Sequence, residues 1–513
     1  MIINDVFNLL ASQPDFFLNL TIEHLYLSII SIAIAIIIGL GLGIIVAEFK
    51  RNKWILVVVN LIYTIPAIAL FGFLIPVSGV GDLTAIIALI IYGLLPMVRN
   101  TYTGITTIDK NIIEAAEGMG STKFEILYKI QLPLALPHII SAIRNMTVMT
   151  VALAGIAAFI GAGGLGVAIY RGITTNNITM IVAGSLLIAI LSIVLDLILA
   201  QIEKYTDYNR KRKHHFKFNK YAAIAVIVLI VAGIGIYTGL NSTSDTINIA
   251  TKPMTEQYII GSALEELIES KSDLSVKLST GIGGGTSNIQ PGMVKGEFDI
   301  YPEYTGTGWM EVLKNDGIYN ESLFNELQKD YNQKYNITWV NDYGFEDTYG
   351  IAVTKEVADK YDLHTYSDLA EVSDQLKFGA EYDFFDREDG YDSLKETYGM
   401  NFKSTQDMDI GLKYDAIKSK EVDVINIFTT DGRLSDSDVV VLEDDKGLYP
   451  SYECYNLVRT EVLNEHPELK DILMELNNTI TSDDMAKMNY EVEVEKREPS
   501  DVAHDFLVNK GLI

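Results

Sequence analysis

Six long apolar runs constrain this chain most, because each is near the length that crosses a bilayer. A transmembrane α-helix needs about 20 predominantly apolar residues, and the third run is shorter than the others. The runs predict an all-α polytopic membrane domain, and they fall near residues 25–47, 54–77, 84–98, 134–160, 179–199 and 221–240.

Charge divides the chain into two unlike halves. Residues 1–240 carry 16 Lys and Arg against 12 Asp and Glu, a net charge of +4. The whole chain has 40 Lys and Arg and 67 Asp and Glu. Residues 241–513 therefore carry 24 basic and 55 acidic residues, a net charge of −31. A membrane half therefore precedes a soluble, strongly acidic half, and nucleic-acid binding is not expected because phosphate contacts need a basic surface. The single cysteine, Cys454, excludes an internal disulfide.

Basic residues orient the membrane half. They lie between the first two runs, at Lys50, Arg51 and Lys53, and between the last two, at 204, 210–213, 217 and 220. Basic loops stay cytoplasmic, which places the N-terminus, and the acidic half, outside the cell. We expect a membrane domain at 1–215, a sixth span and linker at 216–244, and an extracellular domain at 245–513. The first run follows acidic and polar residues, so a cleaved signal peptide is not expected.

Two features of the membrane half each have two interpretations. Arg99, Arg144 and Asp196 lie in or beside apolar runs, where ionisable groups are either functional or structural, for example snorkelling at helix ends. The segment 161–166 fits the pattern Gly-x-Gly-x-x-Gly, but it follows a membrane run rather than a soluble strand. It therefore indicates close helix packing or a bend rather than a dinucleotide site.

The loop between the third and fourth runs carries a specific pattern. A helix-favouring segment at 114–117 is followed by Gly118 and Gly120, and an apolar helical spacing then resumes at Phe124 and continues to Pro133. The pattern predicts a short helix, a glycine bend and a second short helix that Pro133 ends, all facing the cytoplasm. The alternative is an amphipathic connector without a partner.

This loop resembles the EAA loop of ABC-importer permeases. The resemblance covers about residues 20–205, and the residues that carry it are Glu114, Ala115, Ala116, Gly120, Leu132 and Pro133. In that family the loop docks on an ATP-binding subunit, and two permease copies form the translocation path. The chain has no Gly-x-x-x-x-Gly-Lys-Ser/Thr segment, so ATP is expected on a separate subunit. No enzyme activity, cofactor or metal is expected.

The acidic half alternates short apolar strands with amphipathic helices. Strands are predicted at 247–250, 274–278 and 298–301, and helices at 256–269 and 287–295. Such repeats indicate an α/β architecture with ligands bound beyond the carboxyl ends of the strands. About 265 residues are enough for two lobes.

The segment 299–307 has the residues of a cation site. It predicts a strand that runs into a tight loop, with Tyr301 and Tyr304 at a cleft edge and Thr307 as a nearby donor. Aromatic faces suit a quaternary ammonium group, because that group has no N–H to donate. The alternative is a structural tyrosine corner.

Seven ordered segments of the acidic half resemble the glycine betaine, choline and carnitine binding proteins, which have a periplasmic-binding-protein fold. They are 251–257, 283–288, 301–307, 347–349, 385–390, 428–433 and 449–452. The resemblance implies an aromatic cage for trimethylammonium made of Tyr304, Tyr349, Phe428 and Tyr452, and a carboxylate clamp made of Lys252, Thr307 and Arg387. Phe428 stands where some relatives have Tyr. Phe428 could instead be lobe core, and Arg387 a salt-bridged surface group.

Three further residues keep open roles in this interpretation. Asp347 either adds a negative field near the ammonium group or holds a loop. Thr286 and Ser287 could reach an additional ring of a larger ligand.

The fusion of both halves resembles fused osmoprotectant permeases and ergothioneine-uptake permeases. The resemblance implies a multi-pass cell-membrane importer subunit, surrounded by membrane lipid, for a quaternary ammonium zwitterion of the ergothioneine or the glycine betaine, carnitine and choline type. Two other classes are weighed. A ligand-gated channel or chemoreceptor could use the same outer domain, although the EAA loop argues against it. A membrane-anchored hydrolase lacks a recognisable Ser/His/Asp order or metal cluster.

Overall fold

The computed structural model describes residues 2–175, 177–206, 246–315, 317, 319–387, 389–434, 437–449 and 451–513. It divides into two compact units. The helical unit comprises residues 1–169 and 182–242, and the α/β unit comprises residues 170–181 and 243–513. The predicted sixth span at 221–240, and most of the basic loop before it, lie outside the described residues.

Helices make up nearly all of the described part of the first 206 residues. In chain order they are α1 Ile2–Ser12, α2 Pro14–Glu48, α3 Trp54–Tyr63, α4 Ala67–Ser78, α5 Asp82–Thr106, α6 Lys110–Gly118, α7 Lys123–Ile126, α8 Leu132–Ala154, α9 Gly166–Thr174 and α10 Ile178–Thr206. Within the described residues, four helical segments are long and apolar enough to cross a membrane: Pro14–Glu48, Asp82–Thr106, Lys123–Ala154 and Ile178–Glu203.

The predicted second span, 54–77, is not one straight helix. It is split into α3 and α4, and the segments Arg51–Tyr63 and Ala67–Ser78 are bent by 102°. Pro66 stands at the break with a ψ of 141°. Proline has no N–H to continue the helix and disfavours helical geometry at the residue before it, so the break lies at 64–66. Counted as one span, the bent pair brings the described spans to five.

Glycines allow α2 and α5 to pack closely in the helical unit. A Cβ at Gly39 would lie 2.5 Å from the Cβ of Met97, and a Cβ at Gly43 would lie 2.5 Å from the Cβ of Thr101. Small residues at such positions let two membrane helices approach each other backbone to backbone. Any larger side chain would push the two helices apart.

Three ionisable groups of the helical unit are paired with one another. Arg144 on α8 donates to both carboxylate oxygens of Asp196 on α10 at 2.9 Å and to Glu203 at 2.5 Å. Arg99 is exposed on α5. The ion pair joins α8 to α10, which favours the structural interpretation of Arg144 and Asp196.

The glycine-rich segment 161–166 packs against α2. The N–H of Gly164 donates to Glu23 at 2.9 Å, and a Cβ at Gly163 would lie 2.2 Å from the same carboxylate. Gly161 and Gly164 have φ of 74° and 93°, which favour glycine. This arrangement matches the prediction of close packing and a bend.

The α/β unit contains two five-stranded sheets. Their strands are β1 Thr246–Ala250, β2 Ser275–Ser279, β3 Ile300–Tyr304, β4 Ile337–Glu346, β5 Tyr349–Thr354, β6 Lys377–Glu381, β7 Ser404–Met408, β8 Val424–Phe428, β9 Val439–Leu442 and β10 Glu453–Arg459. The first sheet has the order β2-β1-β3-β10-β4, and the second has the order β7-β6-β8-β5-β9.

The helices of residues 246–513 flank these sheets. They are α11 Thr255–Lys271, α12 Thr286–Lys295, α13 Thr305–Thr307, α14 Phe324–Tyr335, α15 Lys355–Tyr361, α16 Tyr366–Val372, α17 Tyr382–Asp386, α18 Tyr391–Tyr398, α19 Lys413–Lys418, α20 Thr460–Glu465, α21 Pro467–Met474, α22 Ser482–Glu493 and α23 Pro499–Lys510. The predicted early elements agree with these bounds, apart from the strand at 298–301, which begins and ends later as β3.

Each sheet defines a lobe, and the chain crosses between the lobes twice. Lobe 1 is the sheet with β1 to β4 and β10, and lobe 2 is the sheet with β5 to β9. The crossings are residues 347–348 and 443–452. Apolar side chains of both sheets, such as Ile249, Ile300, Val353 and Phe378, are fully buried in one cluster. The two crossings therefore bring segments from both lobes to one junction.

Candidate ligand-binding site

Three of the four predicted cage rings meet at the junction of the lobes. Tyr349 begins β5 and pairs in register with Phe428 at the end of β8, so antiparallel pairing sets their spacing. The ring centroids of Tyr349 and Phe428 are 5.0 Å apart. The ring centroid of Tyr452 lies 5.9 Å from that of Tyr349, and the planes of these two rings make an angle of 87°. A ring that sequence reasoning did not assign, Tyr449, lies 5.6 Å from Tyr349. These rings form an aromatic group at the second crossing.

Tyr304 approaches the junction from lobe 1. It is the last residue of β3, and its hydroxyl donates to Glu256 and accepts from Nε2 of Gln257 at 3.1 Å. The Nζ of Lys252 lies 4.6 Å from its ring centroid. Tyr304 is thus fixed by three side chains that precede or begin α11.

Tyr301 does not join the predicted cage. It is completely buried, and its hydroxyl donates to Gln290 of α12 at 2.8 Å. Successive residues of a strand face opposite sides of the sheet, so Tyr301 and Tyr304, three residues apart, cannot line one edge. The expectation that both tyrosines lie at the same cleft edge is therefore wrong in this structure.

Arg387 and Thr307 come together across the lobes, as the clamp prediction requires. The Nη1 of Arg387 lies 3.5 Å from Oγ1 of Thr307. The other edge of the guanidinium is occupied, because Nε and Nη2 donate to the two carboxylate oxygens of Asp389 at 2.7 and 2.5 Å. Tyr452 also donates to Asp389. Burial raises the pKa of Asp389. The charge and hydrogen bonds of Arg387 lower it by more, so the pKa of Asp389 lies below its usual value.

Lys252 is neutralised within the protein. Its Nζ forms an ion pair with the completely buried Glu303, which also accepts from Thr286 at 2.7 Å and from the N–H of Tyr304 at 2.8 Å. Lys252 and Thr286 therefore both contact Glu303 in this structure. Ser287 is exposed on the first turn of α12. Their predicted ligand contacts stay predictions.

A buried carboxyl pair completes the junction. Glu256 of α11 and Asp347 of the first crossing both contact Oγ1 of Thr430, at 2.6 and 2.8 Å. Burial and the negative charge of Asp347 raise the pKa of Glu256 well above its usual value. Burial and the charge of Asp431 raise the pKa of Asp347 to about 7. A cavity in this unit is lined by Phe428, Thr430 and both carboxyls.

Phe428 has a protein cation on one face. The Nζ of Lys413, a fully buried residue of α19, lies 4.5 Å from its ring centroid and 3.1 Å from Asp431. Asp431 also accepts from the N–H of Phe428 at 3.0 Å. Asp431 is therefore part of a turn that fixes the ring.

Sequence reasoning missed four of the polar residues at this junction. They are Glu256, Glu303, Asp389 and Thr430. All four lie inside segments that carried the family resemblance, at 251–257, 301–307, 385–390 and 428–433. Each of these segments contains an acidic residue, which was the available signal, but the partners are far apart in sequence.

The predicted loop of the helical unit forms a bent, exposed connector. Helix α6 ends at Gly118, Gly120 has a φ of 86°, and Thr122 and Glu125 form a capping box for α7. Phe124 and Tyr128 are exposed and their rings stack, with centroids 6.4 Å apart.

Pro133 does not end the second helix, contrary to expectation. It lies in the first turn of α8, which continues to Ala154. The five residues before α8, Leu127–Gln131, form a π-helical turn, whose wider bonding bridges α7 and α8. Proline is tolerated in a first turn because its missing N–H would be unpaired there in any case.

Comparison with known proteins agrees with both units. Residues 15–208 match the family of binding-protein-dependent transport system inner membrane components. Residues 245–509 match the substrate binding domain of ABC-type glycine betaine transport systems. The chain is therefore an ABC-importer subunit that joins a permease and a substrate-binding domain, and it belongs to the glycine betaine type family.

Individual relatives cover both the fusion and its parts. The ergothioneine transport permease/ergothioneine binding protein EgtU of Helicobacter pylori (strain G27) is 40% identical over 469 residues, which are 90% of this chain and 84% of the relative. The carnitine transport binding protein OpuCC of Listeria monocytogenes is 34% identical over 296 residues, 56% of this chain and 96% of that protein. The permease OpuCD of Bacillus subtilis is 39% identical over 175 residues, 34% of this chain and 76% of that permease.

These matches confirm the predicted fold class and the predicted fusion. The chain is a membrane protein with a helical permease part and a two-sheet α/β binding part. An ABC-importer permease works with an ATP-binding partner and a small ligand. The exposed connector around Gly120 is the segment in which the sequence predicted contact with that partner.

Proposed function

We propose that this chain imports a zwitterion that carries a trimethylammonium group and a carboxylate. The observation that carries the proposal is the junction of the two lobes, where aromatic rings and an arginine from opposite sheets come together. The rings of Tyr349, Phe428 and Tyr452, with Tyr304 beside them, would hold the cation. Aromatic faces attract a cation that cannot donate hydrogen bonds, most strongly where water is excluded.

Arg387 and Thr307 would hold the carboxylate. Because Asp389 takes the Nε edge of the guanidinium, only the edge that carries Nη1 faces Thr307 and remains for the ligand. Asp389 also accepts from the cage residue Tyr452, so one buried carboxylate positions both the clamp and the cage. The distance between the two ligand charges is thereby set by the protein.

Ergothioneine is the ligand to test first. It combines the required trimethylammonium and carboxylate groups with an additional ring, and the relative that spans both units is named as an ergothioneine permease and binding protein. Other relatives are named for carnitine, choline or glycine betaine, so the smaller betaines are the second group. Thr286 and Ser287, at the start of α12, are the proposed contacts for the additional ring.

The remaining parts of the proposal concern assembly. The α/β unit would lie outside the cell, as the basic loops indicate. Two copies of the permease would form the path, and ATP would be hydrolysed by a separate subunit that docks on the connector of residues 110–131. Closure of the lobes around the ligand and its release to the permease would alternate with ATP hydrolysis.

Calorimetric titration of the full chain in detergent tests the ligand. We expect binding of ergothioneine, glycine betaine, carnitine, proline betaine or choline, and a Phe428→Leu variant should bind roughly thirtyfold more weakly, since a desolvated cation–π contact contributes about 2 kcal/mol. Phe402→Leu is the matched control, because Phe402 stacks on Phe378 in the core of lobe 2, with centroids 4.8 Å apart.

Two results would contradict the proposal. If none of the five compounds binds, the proposed quaternary ammonium site is wrong. Equal loss of affinity in the Phe428 and Phe402 variants would show that the loss comes from the packing of lobe 2 rather than from the cage.

A further inference from the structure

Counting hydrogens at the carboxyl pair shows that it holds a proton. The hydroxyl of Thr430 has one hydrogen, yet its oxygen lies 2.6 Å from Oε2 of Glu256 and 2.8 Å from Oδ1 of Asp347. One hydroxyl hydrogen can serve only one of these two contacts. Two ionised carboxylates are acceptors only, so one of them must carry a hydrogen to make these contacts.

The surrounding charges explain why the proton stays there. Nearby cations are already paired with other carboxylates: Lys252 with Glu303, Arg387 with Asp389, and Lys413 with Asp431. Within the described residues, the ion pairs leave Glu256 and Asp347 without a cationic partner. Two buried like charges that contact the same hydroxyl disfavour double ionisation, so the pair keeps one proton.

The pair lies beside two of the four rings of the proposed cage. Both carboxyls and Thr430 line the cavity that Phe428 also lines. Glu256 additionally accepts from Tyr304, which belongs to the cage of the proposed function. A fixed positive charge placed against these rings therefore lies beside the pair.

We propose that Glu256 and Asp347 form a proton-exchange wall of the cage, where a bound quaternary ammonium group takes the place of the shared proton. The exchange balances in charge and atoms: the cation enters, one proton leaves the carboxyl pair for the solvent, and both carboxylates remain to face the ligand. The inference rests on the proposed function, because it requires the cation to occupy the cage.

The sign of the pH dependence follows from the exchange. Burial and the charge of Asp347 raise the pKa of Glu256 well above its usual value, and the bound cation would lower the pKa of the pair. Binding then releases a proton at pH values below the pKa of the free pair, and affinity rises there with pH by up to about tenfold per unit and is constant above that range. Other titratable or charged groups around the pair are Asp431, Arg433, Lys413 and Tyr414 of lobe 2, Glu493 of α22, Tyr304 of β3 and Cys454 of β10.

Calorimetry of the full chain in detergent tests the exchange with glycine betaine and ergothioneine as probes. Titrations between pH 5.5 and about 8.5, each in two buffers of different ionisation enthalpy, count the protons released. We expect release to approach one proton per ligand at low pH and none at high pH. The double variant Glu256→Gln/Asp347→Asn should abolish the release and bind roughly tenfold more weakly than the native chain at the upper end of this pH range.

Glu493→Gln is the matched control. Burial and the charge of Asp431 also raise the pKa of Glu493 to about 7, but its side chain hydrogen-bonds to Thr255 rather than to Thr430. This variant should keep the proton release of the native chain. Loss of release in Glu493→Gln, or release kept in the double variant, would overturn the assignment.

Other outcomes separate this inference from the proposed function. Binding with no proton release at any pH would overturn the exchange and leave the importer proposal standing. Affinity that falls as pH rises would show that the protonated pair is only a latch between lobes. Infrared difference spectra of the empty protein give a ligand-free check: the spectrum of the native chain minus that of the double variant must contain a protonated carboxyl band. Its absence overturns the inference even if no probe binds.

Discussion

At the scale of single residues, the proposed ligand contacts are held by buried carboxylates. Asp389 fixes Arg387 and Tyr452, and Glu303 fixes Lys252 and Thr286. A buried ion pair loses much of its stability when one partner is removed, because the other charge is left without compensation. Substitutions that keep the charge are therefore the informative ones here.

Arg387→Lys should weaken binding of zwitterions selectively. Lysine keeps the charge but cannot make the planar two-bond contact with Asp389 and still reach Thr307. Hydrogen bonds to charged groups contribute about 1.5–3 kcal/mol, so we expect betaine affinity to fall about 10-fold to 100-fold in calorimetry. Choline, which has no carboxylate, should be affected much less.

Arg433→Lys is the control for this change. Arg433 binds Asp415 at 2.7 Å and the carbonyl of Gly411 at 3.2 Å, outside the proposed clamp. Similar losses for choline and for betaine in the Arg387 variant would mean that Arg387 stabilises the lobe and does not contact the carboxylate.

The sequence identified the residue types of the site better than their partners. The pairing of Tyr349 with Phe428 is a local consequence of two strands whose motifs were visible. Strand alternation would also have separated Tyr301 from Tyr304 had it been applied to the segment 299–307. The contact of Glu256 with Thr430 joins residues 174 positions apart, and nothing local in the sequence specifies it.

At the scale of elements, the connector between α6 and α7 depends on one backbone conformation. Gly120 has a φ of 86°, and a Cβ there would meet open space. The requirement for glycine is therefore conformational and not steric. Gly118, the last residue of α6, also has open space around it but no left-handed φ.

Gly120→Ala should uncouple the permease from its ATP-binding partner. The left-handed conformation costs alanine about 1–2 kcal/mol, which favours a different bend between α6 and α7. We expect ligand-stimulated ATP hydrolysis of the reconstituted complex to fall severalfold, with little change in ligand affinity. Gly118→Ala is the matched control, since alanine is compatible with the helix there. Equal ATPase rates in both variants would exclude a role for the bend.

Proline set the limits of prediction for the helices. Pro66 breaks the apolar run 54–77, and that signal was present in the sequence although the run was interpreted as one span. Pro133 is also a proline, but it lies in the first turn of a helix instead of ending one. The two prolines differ in whether the turn before each one supplies backbone hydrogen bonds that replace the missing proline N–H. A pattern of residue types does not reveal this difference.

At the scale of the whole molecule, one chain supplies both the membrane path and the ligand receptor. Composition was sufficient to predict this division, because the apolar runs and the acidic half differ so strongly. The physical benefit of the fusion is a high effective concentration of the binding domain near its permease.

Uptake by proteoliposomes tests the complete assembly. With this chain and its ATP-binding partner, and no separately added binding protein, the bound zwitterion should accumulate against its gradient only when ATP is present. The Arg387→Lys chain is the control, because its binding domain should hold the zwitterion more weakly while its permease part is unchanged. Downhill flux without ATP would indicate a ligand-gated channel, the class that the sequence analysis kept as its alternative.

The distribution of the rings between two sheets has a consequence for inhibition. Phe428 and Arg387 belong to lobe 2, whereas Tyr304 and Thr307 belong to lobe 1, so each charge of the proposed ligand would contact both lobes. A quaternary amine without a carboxylate would join the lobes through the cage alone. We expect such amines to compete with zwitterion uptake and to be delivered more slowly, because the contact through Arg387 and Thr307 would be missing from the closed state.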